Sequence, residues 1–317
     1  MPKYKPTKAN IYSGRASDQE LYLHEKISCA NISDLSTNTD TKSIALLGYE
    51  CDEGVKLNLG RPGAVNGPDA IRKQLAKLPN HLTTKTHFYD AGNVRHGKGK
   101  LGDTQALLSE KVSELLKAGV FPIVLGGGHD MAYGTYNGIK MAKDGATIGI
   151  INFDAHFDLR SNINGSNSGT PFYQIAEDCK ANNLPFHYLC MGIRQDANDS
   201  SLFQTAKNLE VIYIQRDTFR IEFHNEINAW INAFIKNVDL VYVTIDLDGF
   251  SSAYAPGVSA PSPMGFTPDV VLESLKTITH SGKLAAVDIA EMNPIYDVDN
   301  QTARLAASLI HGIIHAH

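Results

Sequence analysis

Apolar residues gather into short runs along the chain: "SIALLGYE", "VFPIVLGGG", "ATIGIINFD", "LPFHYLCMGI", "LEVIYI", "VDLVYVTIDLD" and "GKLAAVDIAEMNP". A strand with one wet face would alternate, so runs apolar at nearly every position fit strands covered on both faces. Between the runs, apolar spacing of helical period predicts helices at about 68–77, 103–118, 131–142, 222–236, 268–279 and 302–315. Alternation of strand and helix predicts an α/β fold on a mainly parallel sheet. Several unusual polar clusters fall just after strand-like runs. Ligands bind at the carboxyl ends of strands in such sheets, so the clusters are expected to meet there.

The first forty residues are polar and mixed, and read as an arm or cap, 1–40, beside a single domain over 41–317. A chain of 317 residues that is 43% hydrophobic can bury a large core, and no shift in composition divides it. The net charge of -5 and a pI near 6.2 offer no basic face for nucleic acid. No run approaches the roughly 20 apolar residues that span a bilayer, and the N-terminal stretch lacks the apolar core of a secretory signal. Neither nucleic acid nor membrane is therefore expected as a partner, and the expected location is cytoplasmic. Cys29, Cys51, Cys179 and Cys190 form no C-x-x-C pair and read as free thiols.

The candidate chemistry lies in three places. In "NFDAHFD", Asp154, His156 and Asp158 stand at i, i+2 and i+4, so extended backbone would put them on one face with Ala155 and Phe157 on the other. Asp246 and Asp248 in "TIDLD" repeat the device at the end of another apolar run, and His129 follows the glycines of "GGGHD". Four carboxylates packed together without cations would repel, and several would have to take up protons. Two divalent ions cancel that charge. Oxygen-rich ligation with some imidazole suits Mn²⁺ better than a thiolate-seeking metal. Two such ions about 3.5 Å apart acidify a water held between them. Each motif alone has a plainer explanation, a Gly-rich turn or a loop cap, but their occurrence together favours a metal site.

At these residues the chain resembles the ureohydrolase family of arginases and agmatinases, from about Ile44 to the end. The matching pieces, all in the family's order, are "GRPGAVNGPDAIR", "GGGHD", "NFDAHFD", "SGTPF", "TIDLDGF" and "DIAEMNP". The resemblance implies a three-layer α/β/α sandwich on a mainly parallel sheet, and a site for two Mn²⁺ per subunit held by His129, Asp154, His156, Asp158, Asp246 and Asp248. It further implies hydrolysis of a C–N bond at an amidino or guanidino carbon by a hydroxide bridging the metals, and assembly as a homo-oligomer. Asp158 and Glu291 take catalytic roles in this comparison, with Glu291 accepting hydrogen bonds from the cationic head of a small-molecule amidine substrate. Asp288 competes for that place, but its position inside a strand suits a structural role.

Two departures from the arginase pattern stand out. Ser168 occupies the place of a proton-shuttling histidine, and "DLDGFSSAYAPGVSAP" lengthens the loop where a third Asp is usual, with Ser251 there. The longer loop resembles the formimidoylglutamase branch of the family. Arg160, two residues past Asp158, can bind a carboxylate in bidentate fashion or form a salt bridge within its own loop. Formimidoylglutamate carries two carboxylates, so the substrate-binding residues expected are Arg160, Glu291, Ser168 and Arg61, the last in a Gly/Pro-rich loop that lines a pocket or merely caps a helix. The alternatives are another ureohydrolase acting on agmatine, arginine or a guanidino acid, and a non-catalytic metal-stabilised binding protein. His311 and His315, at i and i+4 near the C-terminal end, could bind a metal or sit on a frayed helix end.

Overall fold

The computed structural model describes residues 1–35 and 41–317. Its strands are β1 (Lys3–Lys5), β2 (Ser28–Cys29), β3 (Lys42–Glu50), β4 (Thr86–Arg95), β5 (Phe121–Leu125), β6 (Ile148–Phe153), β7 (His187–Ile193), β8 (Ile212–Gln215), β9 (Leu240–Asp246) and β10 (Leu284–Ala290). The α-helices are α1 (Leu23–Lys26), α2 (Glu53–Leu57), α3 (Gly67–Leu75), α4 (Leu101–Lys117), α5 (Met131–Ala142), α6 (Pro171–Ala181), α7 (Ser200–Asn208), α8 (His224–Lys236), α9 (Pro268–His280) and α10 (Gln301–Ala316).

The strands form one sheet in the order β1-β4-β3-β5-β10-β9-β6-β7-β8, with β2 also paired to β4. Every pairing is parallel except that of β1 with β4. Two cores flank the sheet. On one face α3, α8, α9 and α10 press Ile71, Leu75, Ile231, Val271 and Ile310 onto Ile123, Ile151, Val243 and Val287. On the other, α4, α5, α6 and α7 cover Val124, Ile150 and Tyr242 with Leu108, Val112, Ile139, Phe172 and Leu202. Burial on both faces explains why β5 and β10 are buried at every position and read as unbroken apolar runs. The chain belongs to the three-layer α/β/α architecture that the sequence predicts.

All seven expected strands form, and the six expected helices stand within a few residues of their predicted bounds. Three longer elements escape prediction. Strand β4, "THFYDAGNVR", carries Asp90 and Asn93, which are buried because Arg72 reaches them from α3. Helix α6 opens on Pro171, and α7 on Asp199, whose side chain accepts from the N–H groups of Ser201 and Leu202; both are short enough to pass for loop. The boundary expected after residue 40 adjoins 36–40, which lie outside the described residues. Before it, β1 and β2 line the outer edge of β4.

Candidate metal centre

Four neighbouring strands, β5, β10, β9 and β6, end on one side of the sheet and carry, at or just after those ends, His129, Glu291, Asp246 with Asp248, and the stretch Asp154 to Asp158 respectively. Adjacent strands lie about 4.8 Å apart, so four ends next to one another bring side chains from distant sequence within ligand range. The chain reverses its direction of growth across this part of the sheet, which is where open α/β sheets bind ligands.

One sequence expectation is corrected here. Asp154, His156 and Asp158 do not share a face of extended backbone, because β6 stops at Phe153 and the chain bends immediately after it. The His156 N–H donates to Asp154 Oδ1 at 2.8 Å, closing a small turn, and Asp158 has left-handed backbone with φ of 47°. The Asp248 N–H likewise donates to Asp246 Oδ1 at 2.8 Å, within the 3₁₀ turn Leu247–Gly249. In both places an aspartate holds its own loop with one oxygen and turns the other toward His129; Asp154 Oδ2 also accepts from Asn152 Nδ2 at 3.2 Å, and its Oδ1 faces His156 as well. Ala155 and Phe157 are fully buried behind the loop and anchor it. Among non-glycine residues left-handed backbone is uncommon, yet Asp158 and Glu291 (φ of 66°) both adopt it at this site.

The ligating atoms form two groups that share Asp154: His129, Asp154, Asp158 and Asp246, and Asp154, His156 and Asp248. His129 Nδ1 lies 2.9 Å from Asp158, 3.0 Å from Asp246 and 3.3 Å from Asp154. His156 Nδ1 lies 3.3 Å from Asp248 and 3.4 Å from Asp154. His129 Nδ1 and Asp248 Oδ1 are buried without a hydrogen-bond partner. Orphaned ligand atoms aimed at a common centre are what a cation site requires, and the oxygen-rich donor set fits two hard divalent ions.

The charges agree. Desolvation raises the Asp158 carboxyl to about 6. Desolvation and then the Asp246 charge push Asp248 and Glu291 well above the usual carboxylate range. Burial opposes protonation of His129 and His156, but the surrounding carboxylates outweigh it and raise both. Such a cluster holds protons in place of cations.

A residue that sequence reading missed orients the first ligand. Thr244 Oγ1 lies 2.9 Å from His129 Nε2, which turns Nδ1 toward the aspartates. Thr244 precedes Asp246 by two positions on β9, and that period was the available signal. Asp288 is fully buried and accepts from the Tyr242 hydroxyl, a structural role. Glu291 Oε1 accepts from the His129 N–H at 2.9 Å, and Glu291 lines a cavity of about 540 Å³ with His156, Asp158, Asp246 and Asp248.

The other expected residues also line that cavity, with different engagements. Arg160 is exposed, and among the described residues its guanidinium has neither hydrogen bond nor ion pair, so the salt bridge within its loop does not form. Ser168 is buried and accepts from Asn58 Nδ2 at 3.1 Å. Arg61 stands at the rim, where Nε and Nη2 donate to the carbonyls of Ser259 and Val258 and the guanidinium lies 3.7 Å over the Tyr296 ring. Those contacts make Arg61 a brace between loops. Ser251 Oγ donates to the Pro263 carbonyl and closes the lengthened loop. Far away, His315 Nε2 accepts from the His81 N–H and His311 Nε2 meets the Pro79 carbonyl, so the pair docks a loop instead of holding metal or fraying.

A family model described as the arginase family matches residues 42–315. The chain belongs to the arginase family. It is 42% identical over 316 residues to a formimidoylglutamase of Aeromonas salmonicida, covering 98% of this chain and 99% of that one. It is 39% identical to one from Clostridium tetani, covering 98% and 95%. In fold it resembles the crystal structure of formimidoylglutamase from Bacillus subtilis, with a TM-score of 0.80 at 24% identity over 95% of this chain and 94% of that one. A Trypanosoma cruzi formiminoglutamase solved with Mn²⁺ gives a TM-score of 0.77 at 23% identity over 90% and 98%.

Proposed function

We propose that this arginase-family chain is a formimidoylglutamase, which hydrolyses N-formimidoyl-L-glutamate to L-glutamate and formamide in histidine degradation in the cytoplasm. The observation that carries it is that the two ligand groups sharing Asp154 open, through His156, Asp158, Asp246 and Asp248, onto the cavity that the unpaired guanidinium of Arg160 also lines. Similarity to formimidoylglutamases over nearly the whole chain supports the substrate. Among the described residues no helix is long and apolar enough to cross a membrane.

His129, Asp154, Asp158 and Asp246 would hold one Mn²⁺, and Asp154, His156 and Asp248 the other. When bound, the pair supplies an acidified water as nucleophile and Lewis-acid stabilisation of developing negative charge. Glu291 receives the amidinium: four aspartates balance two divalent ions, leaving its negative charge to pair with the substrate's positive one. Its left-handed backbone, held by the Glu291 N–H donating to the Gly127 carbonyl at 2.8 Å, fixes that carboxylate over the cavity floor. Asp158 has a second role, accepting hydrogen bonds from the tetrahedral intermediate. Ser168 has no group that ionises near neutral pH, so it cannot shuttle a proton to the leaving amine as a histidine would.

The deciding experiment offers Mn²⁺-loaded protein N-formimidoyl-L-glutamate, arginine, agmatine and a guanidino acid, and measures glutamate, formamide and urea. Glutamate and formamide from the first substrate are expected. Urea release with formimidoylglutamate left intact would sink the assignment. Within the same assay Arg160→Ala is expected to raise KM steeply for a carboxylate-bearing substrate. We assign residues 41–317 to one catalytic domain and 1–40 to an arm, of which β1 and β2 pair with β4, and a homo-oligomeric state that light scattering can check.

A further inference from the structure

Next to Arg160 the cavity wall has a polar corner that neither the six ligands nor Glu291 uses. Asn58 follows α2, and its Nδ2 donates to Ser168 Oγ at 3.1 Å. One N–H of the Asn58 amide and the Ser168 O–H stay available, both in the cavity lining. Ser168 is held in place by its own N–H, which donates to the Gly54 carbonyl at 3.1 Å. Gly169 joins this corner to Arg160, whose N–H donates to the Gly169 carbonyl at 2.9 Å. A Cβ on Gly169 would lie 3.0 Å from Arg160 Cδ and 3.0 Å from Asn58 Nδ2, so the absence of a side chain leaves room for both.

We propose that Asn58, with Ser168, forms a second carboxylate subsite, and that Asn58 is a specificity-determining residue of this enzyme. The inference rests on the functional reading above. The substrate has one carboxylate on the carbon bonded to the amidine nitrogen and one at the far end of its side chain. With the amidine carbon at the ligand cluster, the near carboxylate must lie deep and the far one toward the mouth. Ser168 is buried and Arg160 exposed, in the same order. The charges fit that division. A guanidinium close to the metal pair would repel the cations, whereas an amide and a hydroxyl can bind a carboxylate without adding charge. At the mouth, a full positive charge meets the far carboxylate in water, where a charged and bidentate contact is the stronger one.

The test compares kcat/KM of holoenzyme variants on three substrates: N-formimidoyl-L-glutamate, 4-(formimidoylamino)butanoate, which lacks the near carboxylate, and 2-(formimidoylamino)butanoate, which lacks the far one. Asn58→Ala is expected to reduce kcat/KM by about tenfold or more on the two substrates with a near carboxylate, and by less than about threefold on the other. Asn58→Asp, nearly the same shape but negative, is expected to reduce the same two by about a hundredfold. Arg160→Ala should show the complementary pattern. Thermal melting and bound manganese identify variants that have lost fold or metal, and Asn58→Asp serves if Asn58→Ala is among them. Equal losses on all three substrates, or none on any, overturn the subsite alone. Wild-type enzyme inert toward all three overturns the functional reading and the subsite with it.

Discussion

The buried charge around Arg72 and the buried charge of the metal centre are finished to different degrees. Around Arg72, fully buried, the guanidinium has partners for every N–H: Asp90 at 2.7 and 3.1 Å, Asn93 at 2.6 Å, the Gly92 carbonyl at 3.0 Å and Asp69 at 3.5 Å. Asp90 in turn accepts from Thr7 and Tyr12. In the metal centre four aspartates and two histidines crowd together, and His129 Nδ1 and Asp248 Oδ1 face opposite charges without making a hydrogen bond. A cluster that satisfies itself stabilises the fold and does no chemistry. One left incomplete, but held in place by its loops, binds what completes it.

The sharpest break in this contrast is Asp154→Asn. Asp154 serves both ligand groups, so losing its charge removes several kcal/mol of transition-state stabilisation, and kcat should fall about a thousandfold or more with manganese content reduced. Near-normal turnover at full metal occupancy would remove Asp154 from the centre. Arg72→Met should act in the opposite way: Asp90 becomes an uncompensated buried charge, and urea unfolding of the metal-free protein should show a loss of about 3–5 kcal/mol. Replacing Asp90 by Leu as well should recover part of that loss. If the double variant is no more stable than Arg72→Met, the pair is not what holds β4 to α3.

Thr244→Val is a subtler test. It keeps shape but withdraws the contact to His129 Nε2, and should weaken Mn²⁺ binding by about 10- to 100-fold in a titration followed by calorimetry. Saturating Mn²⁺ should then restore most of the activity. An affinity within about twofold of wild type would mean that packing alone orients the ring, which stands edge-on to Phe172 at 5.3 Å.

The two clusters also differ in how readable they were. The ligands were legible because each motif is local, with two aspartates bracketing one residue or a histidine after three glycines, and each follows an apolar run. Arg72 was not. It closes "GPDAIR" as an ordinary helix-end cation, and Asp90 and Asn93 make β4 look like loop until the helix is docked on it. Long-range satisfaction of polar groups leaves no local trace. The sheet order was equally hidden, and so was the convergence of four strand ends that it produces. Asn58 and Thr244 fall between the cases: both carry short polar side chains near a motif, but their roles depend on contacts with Ser168 and His129 that only the fold supplies.

A third polar cluster, satisfied without any charge, gives the smallest effect. His315 Nε2 accepts from the His81 N–H at 3.0 Å while Nδ1 faces the His311 carbonyl, so the ring binds as the neutral form. Burial, then the neighbouring His311 and His81, lower its pKa below the ordinary 6.5. A base whose folded pKa is depressed contributes stability that is present above its unfolded pKa and lost as pH falls through the folded one. Melting temperature should therefore decline as pH falls below about 6.5, and His315→Gln, which keeps an acceptor that cannot be protonated, should flatten that decline. The same direction is expected of His317, which burial and Lys42 push down to about 4. An unchanged slope in His315→Gln would show that α10 stays docked on the Pro79–His81 loop whatever the charge on this ring.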